Sequence, residues 1–210
     1  MNKLRSIIAA NRNFLLCYGF FFLVGLIFLL VEGKTTTFLF LNPYHRTFLD
    51  LFFIIFTYLG DGLFAAVVII LLLVVRRRSQ AWQLLIAFLL SALLAQVFKN
   101  VFSMPRPWEV FNHGEYNYFI DGITHHGFSS FPSGHSTSVF CLATMLAIFE
   151  KNKKWNILYL FGAVAVGYSR IYLGQHFLTD VLMGSFLGVT MSILVHWLFS
   201  EKFQSFRIST

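Results

Sequence analysis

The sequence has very few charged residues. Only 12% of its 210 residues are Asp, Glu, Lys or Arg, whereas 57% are hydrophobic and 19% are aromatic. A soluble domain of this length could not bury so much apolar surface. Several apolar runs also approach the ~20 residues that cross a bilayer. The composition therefore indicates an integral membrane protein and argues against a water-soluble helical protein, which is the alternative interpretation.

Cysteine is scarce too, and the chain lacks internal repeats and low-complexity tracts. Cys17 and Cys141 lie in different apolar runs without metal-ligand spacing, so we interpret both as packing residues. The first apolar run is too long for the core of a signal peptide, and no small-residue cleavage site follows it, so we expect a membrane anchor. We expect a single integral membrane domain over residues 1–210, with one sizeable loop at 103–133.

The apolar runs predict an all-α fold, a polytopic bundle of six transmembrane helices. The expected spans are 14–31, 48–75, 81–102, 134–149, 156–173 and 178–199. Lys and Arg are retained on the cytoplasmic side, and eleven of the sixteen basic residues share one face if the spans alternate: Lys3, Arg5, Arg12, Arg76, Arg77, Arg78, Lys151, Lys153, Lys154, Lys202 and Arg207. Both termini are then cytoplasmic. The net charge of +7 suits anionic lipid headgroups and requires no nucleic acid partner.

The other five basic residues fall on the extracytoplasmic face. Three of them, Lys99, Arg106 and Arg170, lie in or against predicted spans. An unpaired charge there costs several kcal/mol unless it faces a polar cavity or a partner. Lys99 alone could extend its amine to the interface, but the two arginines need another explanation.

Two further polar stretches lie at span ends. FPSGHSTS, residues 131–138, begins the fourth span, where a serine can cap the first turn and Gly134 permits close approach. Free amides at a helix start favour an anion. In SRIYLGQHFLTD, His176 and Asp180 are four residues apart, so on a helix they share one face, and the carboxylate could hold one ring nitrogen protonated. Taken singly, each stretch could be an ordinary cap.

All these span ends emerge on the same side of the predicted bundle. Their side chains then share one depth, which predicts an anion site with acid–base groups at the extracytoplasmic face. The spacings are K-x6-R-P at Lys99, Arg106 and Pro107, P-S-G-H at 132–135, and S-R-x5-H-x3-D from Ser169 to Asp180. This three-part pattern resembles the signature of the type-2 phosphatidic acid phosphatase superfamily, which also contains vanadium-dependent haloperoxidases.

The resemblance implies roles for individual residues. His176 would be the nucleophile that forms a phosphohistidine, with Asp180 orienting it, and His135 would be the general acid that protonates the leaving oxygen. The phosphoryl oxygens would be held by Lys99, Arg106, Ser133, Gly134 and Arg170. No cofactor is implied, because the cationic side chains would do the neutralising that a metal ion does elsewhere.

Two features lie outside the signature. Asp61 falls within the second predicted span, unless residues 48–58 lie along the interface and the span begins near Gly60. It could be a structural partner for another helix or part of the substrate entrance. The outer loop carries His113, His125, His126, Glu109, Glu115 and Asp121, whose spacing matches no metal-ligand pattern. We interpret these as solvated loop residues, and we expect the aromatic-rich segment 108–131 to shape the choice of substrate.

The resulting hypothesis is a lipid phosphatase that acts on phosphatidate, phosphatidylglycerophosphate, an isoprenyl diphosphate or a lipid A phosphate. Alternatives are a lipid phosphotransferase using the same phosphohistidine, a haloperoxidase, which should be soluble, and a transporter of anionic lipid or phosphate. Six spans without a repeat or a broken helix favour the transporter least. By analogy, the compact size and short basic loops suggest a bacterial inner membrane. The sequence predicts no oligomeric state.

Overall fold

The computed structural model describes residues 3–111 and 114–208, with side chains up to residue 200, and all regular structure in these ranges is helical. The described residues form ten α-helices: α1 Lys3–Ala10, α2 Arg12–Glu32, α3 Lys34–Leu41, α4 Thr47–Phe56, α5 Gly62–Val74, α6 Arg78–Phe102, α7 Pro107–Val110, α8 Gly134–Phe149, α9 Asn156–Tyr172 and α10 Leu178–Ile208. Short 3-10 turns cover Thr57–Gly60 and Lys153–Trp155.

Helix α8 is the centre of the bundle, packed against α6, α9 and α10. Ten of its sixteen residues are buried. The facing side of α10 carries Gly184 and Gly188, and a Cβ on Gly188 would lie 2.5 Å from the carbonyl oxygen of Thr137 and 2.6 Å from the nitrogen of Cys141. The two backbones therefore touch because α10 has no side chain at these positions, as is common between membrane helices. Cys141 is fully buried in this contact, which agrees with its interpretation as a packing residue.

The outer surface of the bundle is apolar. Helix α2 is 21 residues long, and only 6% of its most apolar window is buried inside the protein. In the described part of the chain, three helical segments are long and apolar enough to cross a membrane, Arg12–Glu32, Arg78–Val110 and Leu178–Ser200, and the bent pair Thr47–Gly60 with Gly62–Val74 makes a fourth. Helices α8 and α9, at 16 and 17 residues, fall short of the ~20 residues that span a bilayer without thinning.

The predicted span 48–75 is not one straight helix, because the chain bends by 51° between α4 and α5, close to Gly60, the alternative start of the span. The bend lies where Gly60 and Gly62 flank Asp61. A Cβ on Gly60 would lie 2.7 Å from the Val166 side chain and 3.0 Å from the His135 carbonyl oxygen, so this turn is pressed against the start of α8. The Asp61 carboxylate accepts a hydrogen bond from the Leu63 amide at 3.1 Å and caps α5.

Three short helices were not expected from the sequence. α1 precedes the first span, α3 occupies the stretch after it, with Phe38 fully buried, and α7 lies in the predicted loop 103–133. The other predicted bounds are closer to those observed: α8 covers 134–149, α6 and α9 differ by a few residues, and α10 continues past 199 to Ile208. The short helices were missed because none is long enough to produce a membrane-length apolar run.

The contact between α8 and α10 predicts a large difference between two glycine substitutions. Gly188→Ala should lower the stability of the detergent-solubilised protein by about 1–3 kcal/mol or more, because its methyl group meets backbone atoms that cannot move aside. Gly19→Ala on α2 is the matched control, since nothing lies within 4 Å of its Cβ. Thermal unfolding of both variants tests this, and equal midpoints would contradict the close packing of α8 on α10.

Candidate active site

Hydrogen bonds join the three signature segments at one end of the bundle. The Lys99 amine donates to the carbonyl oxygen of Ser129 at 2.6 Å, just before the P-S-G-H stretch. The Ser133 amide donates to the carbonyl oxygen of Asp180 at 3.0 Å. The Arg106 Nη1 donates to the carbonyl oxygen of Gln175 at 3.0 Å. The end of α6, the start of α8 and the turn between α9 and α10 are thereby held together.

His176 and Asp180 form a buried pair, but not in the way the spacing suggested. His176 lies in the turn that precedes α10 and only Asp180 is in the helix, within its first turn. The His176 Nδ1 lies 3.4 Å from Asp180 Oδ2, at the long end of hydrogen-bond distances. The ring is 3% exposed and the carboxylate is fully buried. The pair therefore forms through a turn against the helix start rather than along one helix face.

Three other donors hold the Asp180 carboxylate. The Ser130 hydroxyl donates to Oδ2 at 2.5 Å, and the Phe177 amide donates to the same atom at 2.9 Å. The Thr179 hydroxyl donates to Oδ1 at 3.2 Å. A buried carboxylate with this many donors is held as an anion in one orientation. Asp180 is therefore fixed in a position to orient His176.

The imidazole of His176 is suited to nucleophilic attack. Burial lowers the pKa of His176 to about 3, and the Asp180 carboxylate opposes this shift only in part. The ring is then neutral at pH 7. With Nδ1 directed to Asp180, the lone pair is at Nε2, as a nucleophilic histidine requires.

Both arginines are buried and incompletely satisfied. Arg170 donates from Nη1 to the Thr57 hydroxyl at 2.7 Å and from Nη2 to the Gln175 side-chain oxygen at 2.6 Å. Arg106 donates from Nη2 to the Ser129 carbonyl and hydroxyl oxygens, at 3.4 Å each, besides its bond to Gln175. In each guanidinium the buried Nε has no acceptor among the described residues. The oxygen atoms of an anion are suitable acceptors for these two Nε–H groups.

His135, Gly134 and Lys99 line a cavity of about 280 Å³ beside these groups. α8 begins at Gly134, and the Ser136 amide donates to the Ser133 hydroxyl at 3.3 Å, so Ser133 is the helix cap. His135 lies within electrostatic range of Arg170 and Lys99. The start of α8 thus presents one histidine and a helix amino terminus to the cavity, as the sequence predicted.

Asp61 lines the same cavity from the bend between α4 and α5. It caps α5, and it also lies within electrostatic range of His135 and Arg170. The cap on α5 is a role within its own helix and differs from both roles considered from the sequence, a partner for another helix and a part of the substrate entrance. The position in the cavity wall is consistent with a place at the substrate entrance.

The outer loop lies over this end of the bundle and is anchored by polar contacts. The Gly127 amide donates to the Glu109 carboxylate at 2.8 Å, and the Tyr116 hydroxyl lies 2.9 Å from Nε2 of His45. His125 is within electrostatic range of both arginines. Among the side chains described in residues 3–111 and 114–200, no three His, Cys, Asp or Glu are grouped as metal ligands. His113 lies outside the described residues.

Sequence reasoning missed four residues that hold the site: Thr57, Ser129, Ser130 and Gln175. Thr57 carries the one usable signal, a hydroxyl within the apolar stretch FFIIFTYLG, since polar groups at membrane depth often serve a site. The serines and the glutamine lie in stretches that are already polar. Only the folded chain shows that their donors and acceptors are directed at the arginines and at Asp180.

The fold and the site define an integral membrane protein with a buried cluster of basic side chains and histidines at one end of a helical bundle. The model of the PAP2 superfamily matches residues 80–204. This match covers more than half of the chain, and the chain therefore belongs to the PAP2 superfamily.

Individual relatives show the same family in sequence and in structure. Phosphatidylglycerophosphatase B of Bacillus subtilis (strain 168) is 42% identical over 96 residues, which are 40% of this chain and 46% of that protein. Lipid A 1-phosphatase of Rhizobium johnstonii is 29% identical over 118 residues, 56% of this chain and 47% of that protein. The crystal structure of a transmembrane PAP2-type phosphatidylglycerolphosphate phosphatase from Bacillus subtilis is 27% identical, with a TM-score of 0.67 over 89% of this chain and 96% of that chain. The chain spans about half the length of the curated relatives it matches.

The unfilled guanidinium donors predict that a tetrahedral anion stabilises the folded protein. Orthovanadate at about 100 times its dissociation constant should stabilise the protein by about 2.7 kcal/mol through linkage. Arg170→Met should abolish this shift, because it removes one of the two buried donors.

The matched control for this experiment is Arg46→Met, since Arg46 stacks on the Tyr44 ring outside the site. Melting curves with and without orthovanadate, at constant ionic strength, provide the measurement. A shift that survives Arg170→Met but not Arg46→Met would place the anion elsewhere.

Proposed function

We propose that the chain is a lipid phosphatase that hydrolyses a phosphate monoester or diphosphate of a membrane lipid through a phosphohistidine on His176. The observation that carries this proposal is the pair of buried guanidiniums with unfilled Nε donors next to a neutral, oriented imidazole. Such a site is suited to a tetrahedral anion. Phosphoryl transfer chiefly requires that the phosphoryl group is positioned and that its spread negative charge is neutralised. The lipid phosphatases among the relatives support the same class of reaction.

In the proposed reaction, Nε2 of His176 attacks phosphorus, and the bond from phosphorus to the lipid oxygen breaks. Protonated His135 gives its proton to that oxygen, so the lipid leaves as an alcohol. The phosphorylated ring keeps its Nδ1 proton towards Asp180, which stabilises the positive charge. Neutral His135 then takes a proton from water, the hydroxide attacks phosphorus, and breaking the P–N bond releases inorganic phosphate.

The phosphoryl oxygens would be held by Arg106, Arg170 and Lys99, with the free amides at the start of α8 around Ser133 and Gly134. The cations supply the charge that stabilises the transition state, and this proposal includes no metal ion. Because the Ser133 hydroxyl accepts two bonds from Ser136, at 3.3 Å from the amide and 2.9 Å from the hydroxyl, its own hydrogen remains for a phosphoryl oxygen.

We further propose six spans with the site at the extracytoplasmic face. α8 and α9 would then be short spans within the bundle. The arrangement of basic residues supports this orientation: Arg76, Arg77, Arg78 and Lys151 line one cavity at the end of the bundle opposite the site. Lys153 also donates to the Asn11 side chain there at 3.0 Å, next to the start of α2. This basic end would face the cytoplasm, as would both termini.

The substrate would keep its acyl or prenyl chain in the bilayer while the phosphate enters the site. The cavity beside His135 is lined partly by apolar residues of α6, namely Phe88, Ala92 and Ala95. A soluble phosphoester would not require a site at membrane depth. Phosphate release measured across phosphatidate, phosphatidylglycerophosphate, an isoprenyl diphosphate and a lipid A phosphate would identify the lipid, and would separate a hydrolase from a phosphotransferase. A bacterial inner membrane remains the proposed location.

Replacing His176 by Ala should abolish turnover and the trapped phosphoenzyme, because the proposed nucleophile, the imidazole held by Asp180, is then lost. The measurement is rapid quenching in alkaline detergent, which preserves the acid-labile P–N bond, with a lipid radiolabelled in its phosphate, followed by counting label on the protein. His196→Ala is the control, since His196 lies 2.7 Å from the Gln83 side chain at the other end of the bundle. Normal turnover in His176→Ala would exclude His176 as the nucleophile.

Replacing His135 by Ala should slow a poor leaving group much more than a good one. General acid catalysis contributes about 10²–10⁴-fold, and nitrophenolate leaves without a proton whereas a lipid alkoxide does not. Turnover of phosphatidate should therefore fall by about 10²-fold or more, and turnover of nitrophenyl phosphate should fall far less. An equal loss on both substrates would argue against His135 as the acid.

A further inference from the structure

Gln175 is a buried polar residue to which the proposed reaction assigns no role. It directly precedes His176 in the turn between α9 and α10 and is 3% exposed. A buried side-chain amide is costly unless its oxygen and nitrogen both find partners. The partners that Gln175 finds are therefore informative about what the residue does.

Gln175 contacts both phosphate-site arginines and the outer loop. Its side-chain oxygen accepts from Arg170 Nη2 at 2.6 Å, and its Nε2 donates to the carbonyl oxygen of Ile123. Its carbonyl oxygen accepts from Arg106 Nη1 at 3.0 Å, and its amide donates to the carbonyl oxygen of Arg170 at 3.0 Å. Every polar group of this residue is engaged.

These contacts determine how the Arg170 guanidinium is presented. One terminal nitrogen is held by Gln175 and the other by Thr57, at 2.6 and 2.7 Å. A planar guanidinium held at both terminal nitrogens cannot rotate, so its Nε remains directed away from these partners and without an acceptor. Without Gln175, Nη2 would lose its partner and the plane would be free to turn.

The contact with Ile123 extends this network to the loop. The neighbouring Thr124 hydroxyl donates to the Leu173 carbonyl oxygen at 3.2 Å. Gly174 has a φ of +64°, and a Cβ there would lie 2.8 Å from the Phe119 ring. The loop therefore rests directly on the turn that carries Gln175, and a shift of the loop at Ile123 would be transmitted to Arg170.

We propose that Gln175 is a positioning residue that orients the Arg170 guanidinium for the substrate phosphate and couples it to the outer loop through Ile123. This inference rests on the proposed phosphate site. It gives the loop a means of affecting phosphate binding without touching the phosphate itself.

The test is the affinity for orthovanadate, measured by titration calorimetry on the full chain in detergent. Gln175→Met keeps the length of the side chain and removes both of its hydrogen bonds. We expect the dissociation constant to rise by about tenfold or more, since hydrogen bonds to charged groups contribute this much. We also expect faster hydrogen exchange of loop amides 116–124.

The matched control is Gln83→Met. Gln83 is also buried, and its side chain bonds to His196 and to Ser79, at 2.7 and 3.1 Å, at the opposite end of the bundle. Its loss should leave orthovanadate affinity unchanged even if the melting temperature falls. A second variant, Gln175→Glu, keeps the bulk and places a carboxylate against Arg170, which should weaken orthovanadate binding further.

The outcomes separate this inference from the proposed function. An orthovanadate affinity within twofold of wild type in Gln175→Met, or an equal loss in Gln83→Met, would overturn the positioning role. Unchanged exchange in the loop would overturn the coupling. If His176→Ala retained turnover, the proposed reaction would fail regardless of Gln175; if His176→Ala were inactive while Gln175→Met bound orthovanadate normally, only the present inference would fail.

Discussion

The carboxylate of Asp180 is the group on which the rest of the site depends. It is fully buried, and a buried anion is tolerated only when donors surround it. Those donors come from different parts of the chain: Ser130 before α8, and Phe177 and His176 in the turn before α10. The Asp180 carbonyl oxygen also receives the Ser133 amide. Satisfying this one residue brings the start of α8 against the start of α10.

The cations of the site are arranged for a ligand rather than for one another. Lys99, Arg106 and Arg170 lie within electrostatic range of each other, which is unfavourable in a buried environment. Their terminal nitrogens bond to carbonyl, hydroxyl and amide oxygens, which fix the side chains without neutralising them. The phosphate of the proposed substrate would supply the missing negative charge. Without it, like charges held close together cost the folded protein some stability.

Close helix packing makes this geometry possible. Glycines on α10 let its backbone touch α8, and Gly60 lets the bend after α4 reach the carbonyl oxygen of His135. These contacts fix where the amino terminus of α8 lies relative to the turn carrying His176. The sequence left the bend open as an alternative, because the apolar run 48–75 continues through it without a proline. Close approach to α8 explains it, and that approach is a property of the folded chain.

The sequence by itself determined the helical class and the bounds of α8, because the length of an apolar run is a local property. Motif spacing, which is also local, selected the eight residues that the structure brings to one end of the bundle: Lys99, Arg106, Ser133, Gly134, His135, Arg170, His176 and Asp180. Tertiary structure decided the break at Asp61 and the pairing of His176 with Asp180 through a turn. It also decided which groups Ser130 and Gln175 bond to. Ser130 and Asp180 are separated by 50 residues. No regular spacing in a sequence predicts a hydrogen bond between residues so far apart. Their pairing arises only when burial removes water and each donor must find an acceptor within the protein.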